Sequence, residues 1–288
     1  MINPVMGPAP SSRHNLLRGS FLAVATAFLF AASAWADETV QNPHYGPYST
    51  AIASVATWQV PKGYISLDPD DTTRLMDRMQ NPGITNSWLY GPDRLERWFA
   101  VVHYDQTGHV KDDEKIDPAG ILESLKRGGE ISNAERRKRG WAEFNLIGWQ
   151  ISPHYEPDTK RLAWATLGEV NGEKVVNYTT KLLSRSGVVT LTLVTDPGSL
   201  NQSVAELKTQ LDHFSFNSDQ RYSEFRSGDK IAEYGLTGLI VGGATAAAVK
   251  TGAWKWLLGV LAAGWKFVAA AAVAAFAGIR SMFKRRGA

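Results

Sequence analysis

Four strand-like runs between residues 144 and 195 constrain this chain more than any other feature. Phe144 to Ile151, Arg161 to Glu169, Lys174 to Leu183 and Val188 to Thr195 are rich in β-branched and aromatic residues and are separated by turn signals. Asn171-Gly172 is the two-residue signature of a type I′ hairpin, because both residues tolerate positive φ. Ser186-Gly187 turns the next pair. Consecutive runs joined by turns this short can only pair antiparallel, so the stretch predicts a meander. Ser199 then opens a helix whose apolar residues Leu200, Val204, Leu207, Leu211 and Phe214 form one stripe for docking on that sheet.

The upstream half carries similar but sparser punctuation. Gln41 to Tyr48 is polar and Pro/Gly-rich, so residues 37–52 are expected to be loose. Ala53 to Val60 and Tyr64 to Leu67 read as strands around Pro61-Lys62-Gly63. Asp71 is a candidate cap for a helix running to about Gln80, with Leu75, Met76 and Met79 facing inward. Trp98 to Tyr104 is an apolar strand, turned by Asp105 to Gly108. Asp117-Pro118 starts a helix presenting Ile121, Leu122 and Leu125, and Gly128-Gly129 is expected to stop it. Ser132 and Glu135 form a capping box for a further short helix to about Gly140. The expected fold of residues 53–235 is therefore α+β, an antiparallel sheet with packed helices.

The two ends read as addresses. Residues 1–36 have a basic start (Arg13, Arg18), an apolar run from Phe21 to Ala32 and a small-residue site at Ala34-Trp35-Ala36, which is the pattern of a secretory signal peptide. Leu236 to Ile279 contains no acid. Residues 256–279 are long enough for a transmembrane helix of roughly 36 Å. Trp254 and Trp256 would mark one interface, and the basic tail 280–288 the cytoplasmic one. Residues 236–255 form a small-residue-rich juxtamembrane or second hydrophobic helix. Gly238, Gly242 and Ala246 make a packing ridge there. A hairpin of two spans is the alternative topology. Lys266 falls near mid-bilayer, where a charge costs about 2.5–3.5 kcal/mol, so it is a candidate contact to a partner helix.

Charge follows this division. The chain has 31 Lys/Arg and 28 Asp/Glu. All 28 acids lie between Asp37 and Glu233, against 22 bases in residues 37–235, so this portion is acidic at −6. An acidic domain argues against nucleic-acid binding, which needs a basic face. The run Arg136-Arg137-Lys138-Arg139 reads as a solvated helix face.

Chemistry is harder to find. With no cysteine there is no thiol nucleophile and no thiolate metal site. Asp105 to Glu114 departs from calcium-loop spacing at its third and fourth positions. His103 and His109 flank one turn and supply only two imidazoles, so no metal and no cofactor are expected. There is no Gly-x-Ser-x-Gly elbow and no phosphate-binding glycine loop. The loop expected around His154 and Tyr155, with Arg185, is the best candidate binding surface. A hydrolase-like alternative would need Glu143, His154 and Arg185 to converge.

Trp149-x-x-x-Pro153-His154-Tyr155, Leu162-Ala-Trp164-Ala165 and Val176-Asn177-Tyr178-Thr179-Thr180-Lys181-Leu182-Leu183-x-Arg185-x-Gly187-Val188 resemble a bacterial domain-of-unknown-function family of predicted membrane-anchored proteins. Gly108-His109-Val110-x-Asp112-Asp113 and the stretch Arg221 to Leu236 extend the resemblance. It implies an exported protein held at the bacterial inner membrane, with its folded domain in the periplasm and its C-terminus in the cytoplasm. It implies no catalytic residue. The expected function is a non-catalytic binding or scaffolding module, engaging a protein partner or a second copy through its C-terminal helices. The alternatives are a periplasmic enzyme and an accessory subunit of a membrane transporter.

Overall fold

A computed structural model of the chain describes residues 40–81, 83–95 and 97–242. Among the described residues, eleven strands and four α-helices form three layers. The central layer is an eight-stranded sheet in the order β1 (His44–Tyr45), β4 (Tyr64–Leu67), β5 (Ser87–Pro92), β6 (Phe99–Asp105), β10 (Val188–Thr195), β9 (Glu173–Leu183), β8 (Arg161–Val170), β7 (Asn145–Glu156). Every neighbouring pair is antiparallel. The expected meander is its β7 to β10 half, and Asn171 and Gly172 both have positive φ, as the type I′ turn requires. The second sheet is β2 (Tyr48–Ile52), β3 (Ala56–Val60) and β11 (Phe214–Phe216), with β3 in the middle.

Period-two alternation gives the large sheet two different faces. One face packs Tyr90, Ala100, Val102, Ala163, Ala165, Val176, Tyr178, Leu191 and Leu193 against the small sheet and α3 (Leu200–Leu211). The other face is covered at two corners. At one, α1 (Pro69–Arg78) sets Leu75 and Met76 against Leu67, Leu89, Phe99 and Val101. At the other, α2 (Pro118–Lys138) and α4 (Leu236–Val241) set Ile121, Leu236, Leu239 and Ile240 against Leu162, Trp164, Leu183 and Val188. A hydroxyl-rich diagonal divides the corners. Ser87, His103, Thr190 and Lys181 are in register across four strands, and Thr192 faces Thr179 beside them.

Several elements differ from expectation. Residues 44–52 are not loose, because β1 pairs with β4 and β2 pairs with β3. Ala53 to Val55 form the turn between β2 and β3 rather than the start of a strand. The cap of α1 is Asp68, whose side chain accepts from the Asp71 amide at 2.9 Å, with Pro69 following. That is the same Asp-Pro start that opens α2, where Asp117 accepts from Ala119. Asp71 is instead buried in the first turn, bonded to Arg74 and Asn42. Strand β5 lies where Gly91-Pro92 and the preceding polar run 85–87 hide a strand signal.

The largest difference is α2, one helix of 21 residues that runs through Gly128-Gly129 and through the supposed cap at Ser132. Two interior glycines cost about 2 kcal/mol together relative to alanine. Packing beyond them outweighs that cost. Buried Asn133 donates to the Phe144 carbonyl at 2.7 Å and accepts from the Phe144 amide at 2.9 Å. Buried Arg136 donates from Nε to the Ala142 carbonyl and from Nη1 to the Gln80 carbonyl. Phe214 belongs to β11 rather than to the α3 stripe, since α3 ends at Leu211.

The expected signal peptide 1–36, most of segment 236–255, the span 256–279 and the tail 280–288 lie outside the described residues, as do Ala246 and Lys266. Among the described residues no helix is long and apolar enough to cross a membrane. Helix α4 is fully buried and ends at Val241, with Gly242 capping it at φ +84°. Of the expected ridge, Gly238 lies within α4 and Gly242 is its cap. Gly238 has a local reason to be small, because a Cβ there would sit 2.5 Å from the Tyr234 Cβ.

Candidate functional site

Residues 217–235 leave β11 and fold as a strap across one end of the large sheet before entering α4. Three sheet connections hold it. The first is the loop after β6. Gly108 adopts φ +96° and a Cβ there would lie 2.7 Å from the Lys230 carbonyl, so only glycine allows the two backbones to meet. His109 then forms a parallel bridge with Ile231, its amide donating to the Lys230 carbonyl at 2.8 Å and its carbonyl accepting from the Ala232 amide at 2.9 Å. The second is the β9–β10 turn, where Ser184 bridges Arg221 and the Arg185 amide donates to the Gln220 carbonyl at 2.9 Å. The third is the β7–β8 turn, which brings Lys160 over the Tyr222 ring, 5.1 Å from its centre.

Arg185, singled out from sequence, is the electrostatic tie. Its Nε and Nη2 each donate at 2.7 Å to the two carboxylate oxygens of Asp229. This fork geometry gives Arg its advantage over Lys. Asp229 also accepts from the Arg226 amide at 2.7 Å. The Arg185 guanidinium, then that amide, hold the Asp229 carboxyl down at about 2. Arg226 pairs in turn with Asp219.

Tyr155, also singled out, is the second tie. Its hydroxyl donates to Asp112 Oδ2 at 2.6 Å, and Lys160 Nζ donates to the same oxygen at 2.9 Å. Burial works against the Asp112 charge, but hydrogen bonds from Tyr155 and Lys160 and the nearby Lys160 charge outweigh it and hold the carboxyl below its ordinary value. Burial and the Asp112 carboxylate both push the Tyr155 hydroxyl up.

His154 does not join them. The residue lies in β7 rather than in a loop, so strand alternation turns it to the face opposite Tyr155. Its Nε2 is 3.7 Å from Glu156, which also faces Lys208 of α3. Glu143 pairs with Arg137. Glu143, His154 and Arg185 thus have separate partners and do not converge on one reaction centre.

The residue at the centre of the site is one that the sequence marks only as one of two imidazoles beside a turn. His109 is nine-tenths buried and stacks between Tyr222 and Phe225, with ring centres 4.3 and 4.2 Å away and ring planes within 30° of parallel. Its ring is hydrogen-bonded to the Arg185 backbone, while Nδ1 is buried with no hydrogen-bond partner among the described residues. The signal available was Gly108-His109-Val110, where a glycine of positive φ marks a close backbone approach. Beside the strap, Gln106, Gly108, Arg185, Ser186, Asp229 and Lys230 line a cleft of about 100 Å³, enough for a few waters or one small polar group.

A second polar region lies on the hydroxyl-rich diagonal. Ser87 Oγ is 3.0 Å from His103 Nδ1, and His103 Nε2 is 3.2 Å from Asp105. Lys181 donates to Thr190 at 2.8 Å, and burial pushes its ammonium down against the pull of Asp105. The order nucleophile, base, carboxylate is that of hydrolytic triads. Ser87 is only 3% exposed, however, and sits 3.0 Å from the Thr85 carbonyl. His103 and His109 share no partner, and among the described residues no group of three His, Asp or Glu gathers to hold a metal ion.

No curated protein matches this chain. Solved structures that align with it include cyanobacterial PsbP (CyanoP) from Synechocystis sp. PCC 6803, at 15% identity, 59% of this chain, 91% of that one and a TM-score of 0.35. The Saccharomyces cerevisiae Ran-binding protein Mog1p aligns at 10% identity over 64% of this chain and 100% of that one, with a TM-score of 0.30. LpqN, involved in cell envelope biogenesis of Mycobacterium tuberculosis, aligns at 15% identity over 66% and 99%, with a TM-score of 0.26. The family model described as Protein of unknown function (DUF2167) matches residues 44–277, from the first strand of the large sheet past the strap and α4, and the chain belongs to that family.

Proposed function

We propose that this chain is a membrane-anchored envelope protein of bacteria, whose α+β domain sits in the periplasm as a non-catalytic binding or scaffolding module. The observation that carries the reading is the strap. Ion pairs tie it down: Arg226–Asp219 lies within it, Arg185–Asp229 joins it to the β9–β10 turn, and Lys160–Asp112 locks together the two loops beneath it. Such an arrangement holds a shape and leads directly into the acid-free stretch beginning at Leu236. Phe225 and Ile231, 37% and 47% exposed on the strap, offer a protein partner an apolar contact beside the cleft.

The test is fractionation of cells making the full chain, followed by alkaline extraction and protease treatment of spheroplasts. The protein should stay in the membrane pellet, and external protease should digest the domain. Recovery in the soluble fraction, or protection of the domain, would rule the reading out. A photo-crosslinker placed at Phe225 should then capture a discrete partner band.

A second reading, a periplasmic hydrolase, rests on Ser87, His103 and Asp105. Its test is labelling by a fluorophosphonate probe that disappears in Ser87→Ala. Absence of labelling in the native protein removes it.

A further inference from the structure

We propose that residues 217–234 form a clasp that is closed while His109 is neutral and is released when its ring takes a proton at Nδ1. Three independent features of the geometry support this. Nδ1 is enclosed and has no hydrogen-bond partner among the described residues. The ring is the contact shared by the strap residues Tyr222 and Phe225. The backbone of His109 is also the strap's β-bridge, so displacing the residue breaks the hydrogen bonds to Lys230 and Ala232.

A proton on Nδ1 creates a buried N–H donor and a positive charge together, and both are costly without a partner. Several groups act on the ring. Asp112 of the same loop and Asp229 of the strap favour the charged form, as does the Arg185 backbone, while Lys160 from the β7–β8 turn opposes it. Neither carboxylate makes a hydrogen bond to Nδ1. Asp112 already accepts from Tyr155 and Lys160, and both oxygens of Asp229 are held by the Arg185 fork. Stacking on Tyr222 and Phe225 returns part of the cost as a cation–π interaction. Burial is the largest influence, and the net effect is a His109 that resists protonation relative to its ordinary value of 6.5.

The sign follows from that. A group that binds its proton less readily folded than unfolded adds stability above its unfolded value and loses it as pH falls below. The clasp is therefore tight above pH 6.5 and loosens in acid. Opening uncovers the Ser184–Gly187 turn and detaches the strap that carries α4. The proposal rests on the fold alone, so it stands or fails separately from the membrane reading.

Hydrogen exchange read by mass spectrometry on the full chain tests it, at about pH 7.5 and about pH 5 with intrinsic rates corrected. Peptides from 217–234 should lose protection several-fold at the lower pH, while β8 to β10 keep theirs. His109→Phe preserves the aromatic stack and removes the proton, so its strap should show no such dependence. Equal strap protection at both pH values in the native protein, greater protection in acid, or an unchanged dependence in His109→Phe would each overturn the proposal. If that variant does not fold, the native ring decides by NMR titration. Protonation below the ordinary histidine range, accompanied by strap line broadening, supports the clasp, and titration at the ordinary value overturns it.

Discussion

Arg185, in the β9–β10 turn, and Tyr155, in β7, each meet a carboxylate on another segment. Arg185→Lys keeps the charge at Asp229 but gives up the fork. Proteolytic nicking within 217–234 should become faster while the sheet stays intact, and an unchanged nicking rate would show the fork to be dispensable. Tyr155→Phe removes one hydrogen bond to a partly exposed carboxylate, so chemical denaturation should show a loss of about 1 kcal/mol. The Asp112 carboxyl should titrate nearer its ordinary value in the same variant, as read by carboxyl NMR. His154 was the plausible companion by sequence adjacency. It lies on the other side of the sheet because neighbouring residues in a strand point apart. Adjacency in sequence implies proximity at a site only where the backbone turns.

At the scale of elements, α2 makes the sharpest test. A Cβ at Gly128 or Gly129 meets nothing within 4 Å, and neither residue has positive φ. Gly128→Ala and Gly129→Ala should each raise stability by about 0.5–1 kcal/mol, measured by urea unfolding. A loss would mean the helix breaks there after all. Asn133→Ala should cost about 2–3 kcal/mol in the same measurement, because it strands the amide and the carbonyl of Phe144 in the core. The two results together separate local propensity from tertiary support. The double glycine is a fair stop signal when read alone, and it is overridden by Asn133 and Arg136 bonding to segments far from their own turn. The hairpin at Asn171-Gly172 was readable because its determinants are local. Strand β5 was not, since its place between β4 and β6 depends on partners distant in sequence.

For the whole molecule, acid should act through the strap before the sheet. Asp229 is held at about 2 against an ordinary 3.8, and Asp112 is held below its ordinary value too. Both contribute stability that is present above pH 3.8 and fades as pH falls through their lowered values, about 2 for Asp229. Acid unfolding followed by circular dichroism should therefore steepen below pH 3.8 in the native protein. In Asp229→Asn the part owed to this group should be missing, and an identical acid profile would contradict the assignment. The meander of β7 to β10, the apolar stripe of α3, the Asp-Pro start of α2 and the acidic balance of residues 37–235 were fixed by sequence alone, because each depends on residues a few positions apart or on composition. The pairing of β6 with β10, the strap over the sheet end and the burial of His109 were decided only by tertiary structure. They join residues as far apart as His109 and Tyr222, and no local spacing carries the energy of contacts that the chain must close a long loop to make.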